Sequence, residues 1–167
     1  PDVVWERTKA YAMGLGQIYI NLAGREGKGV VQPGAEYDRV VDGITRGLLE
    51  LRDTDGTPAI LSAYRAGEIF SGPYLDEAPD IQLGFNEGYR VSWQTCLGGI
   101  PSEVIEDNPR KWSGDHCSYD SRITPGVFFA NRPLVKEPHI LDVAPSVLRW
   151  FGVPIPEDYD GAPLFEG

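Results

Sequence analysis

Methionine, histidine, cysteine and basic residues are scarce in this chain, and each shortage narrows what it can be. The single methionine is Met13 and the sequence starts Pro1-Asp2, so the expectation is a polypeptide processed, or cut from something longer; the cut is favoured. Cys96 and Cys117 are the only cysteines and lack CxxC spacing. They fit free thiols better than a disulfide framework and leave the compartment and localisation open. Fifteen Lys and Arg stand against 25 Asp and Glu, a net charge of −10. That argues against a nucleic-acid polymer or an anionic membrane as partner, because both are bound by concentrated positive charge. A phosphate-bearing small molecule stays open, since a bound divalent cation reverses the local field. No apolar run approaches the roughly 20 residues that span a bilayer, and no secretory leader pattern is present.

What is present suits a folded domain. The composition is 41% hydrophobic and 24% charged, with four Trp, eight Tyr and six Phe among 167 residues, enough for one real core. Gly16 to Leu22 alternates, with Ile18, Ile20 and Leu22 on one side, as a half-buried strand does. Tyr37, Val40, Val41, Ile44, Leu48 and Leu51 fall at helical spacing, predicting a helix over 36–51 that Gly43 and Gly47 weaken by about 1 kcal/mol each. Ile60–Tyr64 and Ile81–Phe85 are further strand candidates. Residues 86–121 show no sustained period and form a long loop, of the kind that often carries function. The run Pro125 to Ala130 is continuously apolar, as expected of a strand buried on both faces. Asp142 can cap a last helix over 143–151, with Pro145 in its first turn and Gly152 as its stop. Strands interleaved with helices suggest an α/β fold with parallel strands. No repeat or internal boundary is evident, so 1–167 reads as a single domain.

Chemistry has few addresses. His139 follows Pro138 at the start of the last helix and reads as a surface or packing residue. His116 lies in Trp112-Ser113-Gly114-Asp115-His116-Cys117, beside a carboxylate. Imidazole and carboxylate both ligate zinc-like ions, although one adjacent pair cannot complete a site that needs three or four donors. Arg25, in the glycine-rich loop after the first strand, and Arg90 are candidate phosphate contacts, with a solvated surface role as the alternative. Tyr89, Trp93 and Trp112 could line a base-binding slot or serve packing. Glu103, Glu106 and Asp107 lack calcium-loop spacing and read as a solvated face.

Several of these segments, taken in order, resemble the end of the alkaline phosphatase superfamily. They are Ser113-Gly114-Asp115-His116, Pro125 to Asn131, Asp142-Val143-Ala144-Pro145-Ser146, Phe151-Gly152-Val153-Pro154, and Asp160-Gly161. The nearest likeness is to the type I phosphodiesterase/nucleotide pyrophosphatase group, whose uncharacterised phosphohydrolase branch Gly16 to Glu26 also resembles. The likeness implies an α/β fold, the C-terminal portion of an alkaline-phosphatase-like sheet flanked by helices, within a larger catalytic domain. It implies two divalent metal ions in the intact enzyme, zinc with manganese as the alternative, and a Ser or Thr nucleophile that this chain lacks. His116 matches the late histidine that completes one metal site. Asp115 is the less certain ligand, because neighbours in extended chain point to opposite faces. Cys117 stands where the group commonly has Gly, which puts the loop geometry in question. The expectation is therefore the C-terminal part of a phosphohydrolase acting on a phosphoester or nucleotide-like molecule. Alone, the chain is expected to be inactive, to bind metal weakly or not at all, and to self-associate through uncovered apolar surface. A non-catalytic binding domain of the same fold is the alternative, as are a sulfatase, phosphomonoesterase or phosphoglycerate mutase reaction.

Overall fold

A computed structural model describes residues 3–92, 94, 99, 101–109, 111 and 120–166. It is a mixed α/β structure that divides into two compact units, Pro1–Pro125 and Gly126–Gly167.

In the first unit a four-stranded sheet is built from β1 (Ala10–Met13), β2 (Gln17–Ile20), β3 (Ile60–Arg65) and β4 (Ile81–Phe85), in the order β1-β2-β4-β3. Every pairing is antiparallel, which corrects the expectation of parallel strands. The elements do not follow a strand–helix–strand crossover pattern throughout: β1 and β2 are a hairpin, and β3 returns beside β4. Gly14 and Gly16 make the hairpin turn with φ of 71° and 92°, values that favour glycine.

Helix α1 (Ala35–Leu49) covers one face. Its Val41 is fully buried with Ile20, Val31, Ile60, Ile81, Leu83 and Phe85, and Tyr37, Val40, Ile44 and Leu48 pack around them. The helical spacing read from the sequence thus marks the buried stripe. Glu36 and Asp38 in the first turn and Arg46 in the last suit the helix dipole. Alternation along β4 sends Ile81, Leu83 and Phe85 toward α1, leaving Gln82 and Gly84 on the opposite face. A one-turn helix α2 (Ala66–Ile69) follows β3.

The second unit holds a 3-10 turn (Ile140–Asp142) running into α3 (Val143–Trp150). Pro145 sits buried in its first turn, and Gly152, at φ 66°, ends it. The segment 125–130 is not a strand. Val127 is 84% exposed and Phe129 91%, so the expectation of a strand buried on both faces is not met within this chain. A continuous apolar run forms a doubly covered strand only where two neighbouring strands and covering layers exist to receive it.

Candidate functional site

His116 and Asp115, the expected metal ligands, lie outside the described residues, as do Trp93, Trp112, Cys96 and Cys117. Among the described residues no three His, Cys, Asp or Glu side chains converge as a metal-binding group. The other histidine, His139, has a local role. Its Nδ1 accepts a hydrogen bond from the Leu141 amide at 3.3 Å. Glu106 accepts a bond from Gln94 Nε2 at 3.4 Å on an exposed face.

Arg25 is not a solvated surface residue. Its Nη1 and Nη2 donate to the two oxygens of Asp80 at 3.1 and 2.6 Å, Nη2 also donates to the Ile20 carbonyl at 2.8 Å, and Nε reaches Glu26 at 3.0 Å. Asp80 is buried and also accepts from the Ile20 amide at 2.6 Å and the Tyr37 hydroxyl at 2.8 Å. The carboxylate has its four acceptor directions filled. It ties β2, the loop after it and α1 to the entry of β4. Hydrogen bonding to Asp80 raises the Arg25 pKa. Burial, then the same carboxylate, pushes Tyr37 up to about 12. Four of the five guanidinium N–H groups are thereby engaged inside the protein. Arg90 is half-buried, with Nη1 3.5 Å from the Val91 carbonyl. Tyr89, read as lining a base-binding slot or serving packing, donates its hydroxyl to Asp53 at 2.7 Å, and that bond raises it to about 12.

The face of the sheet opposite α1 carries a second buried carboxylate, one the sequence reading passed over. Asp120 is fully buried. Its Oδ2 accepts from Ser62 Oγ on β3 at 2.5 Å and from Arg122 Nη2 at 2.6 Å, while Oδ1 accepts from Arg122 Nε at 2.8 Å and the Arg122 amide at 2.9 Å. The side-on guanidinium, with the Ser62 bond, holds the Asp120 carboxyl well below the usual range despite its burial. Room for it comes from Gly84 on β4: a methyl group there would run into Ser62 Oγ and the Asp120 carboxylate. The signal in the sequence was Asp120-Ser121-Arg122 at the end of the long loop, with a glycine between Leu83 and Phe85 in a strand whose inward residues are apolar. Glycine inside a strand marks close approach of another group.

Asp142 is a third hub, in the second unit. It makes no capping bond to α3, a departure from its expected role. Its carboxylate accepts instead from Lys136 Nζ at 2.8 Å, the His139 amide at 2.9 Å and the Ala162 amide at 2.9 Å. Lys136 and these amides lower it to about 2. Ser146 Oγ donates to the Asp142 carbonyl at 2.6 Å and accepts from the Leu164 amide at 2.8 Å. A methyl group on Gly161 would collide with the Leu141 carbonyl. The Asp142, Ser146 and Gly161 positions of the tail therefore form one clamp that holds the last segment against α3.

Searches against family models, curated proteins and solved structures find no match to this chain.

Proposed function

We propose that this chain is the C-terminal part of a metal-dependent phosphoester hydrolase of the alkaline phosphatase superfamily, nearest to the type I phosphodiesterase/nucleotide pyrophosphatase group. The observation that carries the reading is the order of the tail segments: the Gly114-Asp115-His116 loop, the apolar run 125–130, Asp142-x-x-Pro145-Ser146, Phe151-Gly152 and Asp160-Gly161. The bare apolar run supports it further, because a strand from the middle of a larger sheet would lie bare wherever its neighbours belong to other sequence. In the intact enzyme His116, with Asp115 as the weaker candidate, would hold one of two divalent ions, zinc or manganese. Such ions polarise a phosphoryl group and activate an attacking oxygen. The substrate would be a phosphodiester or nucleotide-like small molecule.

The test is hydrolysis of a nitrophenyl phosphodiester by the natural full-length protein loaded with zinc or manganese. His116→Ala is expected to lower kcat/KM by at least about 100-fold, as loss of a metal ligand or its support does, and this chain alone is expected to show no turnover. Undiminished hydrolysis by the variant would remove the reading.

A further inference from the structure

Among the described arginines, Arg122 is set apart by how it is held. Two of its donors, Nε and Nη2, grip the buried Asp120 side-on, yet its own side chain is 56% exposed. The carboxylate behind it is fixed in turn by Ser62 and seated over Gly84. Arg122 has no further acceptor among the described residues, so Nη1 and the outer Nη2 proton point away from the pair. A guanidinium locked in this way has already lost the rotamer freedom that an ordinary surface arginine gives up on binding. Tyr64 stands two residues from Ser62 on the same face of β3, the face that carries Asp120. The guanidinium is thus fixed by Asp120 with donors left over, and among the described residues the Tyr64 hydroxyl beside Ser62 on β3 has no partner.

We propose that Arg122 and Tyr64 form an oxyanion site, the free edge of the guanidinium receiving two oxygens of a phosphate group while the tyrosine hydroxyl donates to a third. The choice of phosphate rests on the phosphohydrolase reading, and in that setting Arg122 takes the substrate-binding role first considered for Arg25. Arg25 cannot fill it without abandoning Asp80, whereas Arg122 keeps Asp120 and still offers a free edge. Planar fork geometry suits this task better than a lysine's point charge.

The experiment is a titration of the chain with inorganic phosphate, followed by the side-chain Nε–H resonances of its arginines, with sodium chloride at equal ionic strength as the control. The Arg122 resonance is expected to move saturably with phosphate and not with chloride, while that of Arg25 stays fixed. Arg122→Lys is expected to weaken phosphate binding about tenfold, the loss of one charge-assisted hydrogen bond. If that variant does not fold, the wild-type titration decides alone. An unmoved Arg122, or equal movement of every arginine, overturns the site and leaves Arg122 as a staple for its loop. Phosphate binding at Arg122, combined with hydrolysis by the intact protein that ignores His116→Ala, would sink the hydrolase reading and keep the site. Hydrolysis dependent on His116 with a silent Arg122 would do the reverse.

Discussion

At the scale of single residues, three buried carboxylates organise the molecule, and each has a different kind of partner. Asp80 faces an arginine that is itself mostly covered, so the pair cannot be cut on one side without leaving a charge in a poorly solvated place. Asp80→Ala is expected to cost about 3–5 kcal/mol of stability, measured by urea unfolding, because it strands Arg25. Asp142 carries a pH signature. Its pKa is lowered to about 2 in the folded chain, against about 3.9 for a free aspartate. The folded state therefore holds this proton less readily than the unfolded state does. Its contribution is present above about pH 4 and fades as pH falls toward about 2. Asp142→Asn is expected to flatten that part of the stability–pH curve in acid unfolding followed by circular dichroism. Tyr37 works at the other end. With its pKa pushed up to about 12, its contribution is intact below about pH 10 and fades as pH climbs from there to about 12.

At the scale of elements, glycine separates positions that need it from positions that do not. Gly47 in α1 has open space where a methyl group would go, and its helical backbone takes alanine without strain. Gly47→Ala should raise stability by about 0.5–1 kcal/mol. Gly84→Ala should lower it by about 1–3 kcal/mol, since the added methyl meets Ser62 and the buried Asp120. Thermal melts of the two variants should move in opposite directions. The same contrast shows how much was legible in the sequence. Strands β2, β3 and β4 and helix α1 were legible in their apolar residues, which pack into one core, and such patterning is a local property; α3 was read instead from Pro145 in its first turn and Gly152 at its stop. Sheet direction did not follow, since a hairpin pairing and a crossover use the same alternating residues and only tertiary contacts choose between them. Arg25 is a case at the site: the glycine-rich loop hinted at an anion grip, but the anion it grips is Asp80, 55 residues away. Arg122 went unseen for a similar reason, because its meaning depends on Ser62 and Gly84 in two separate strands. The metal-ligand reading of His116 came from motif order and not from any geometric signal.

At the scale of the whole molecule, apolar exposure is concentrated in the second unit. Val127, Phe129, Ile140, Trp150 and Phe151 are all more than half exposed. Exposed apolar side chains in this number favour association in water. The chain is expected to self-associate with rising concentration in light scattering. Val127→Asp together with Phe129→Asp should reduce that association without lowering the melting temperature, since neither side chain is packed. Monodisperse wild-type chain across the concentration range would contradict the expectation.

The position of Asp80 has a temporal meaning as well. Its oxygens hold residues 20, 25 and 37, and the strand that follows it supplies the partner for Gln17, which pairs with Gln82. During synthesis the β1–β2 hairpin and α1 must wait, with the Arg25 cation uncompensated by Asp80, until Asp80 emerges 55 residues after Arg25. Pairings that distant in sequence make assembly slow. A nascent chain stalled short of Asp80 would present an unfinished half-sheet to chaperones and proteases.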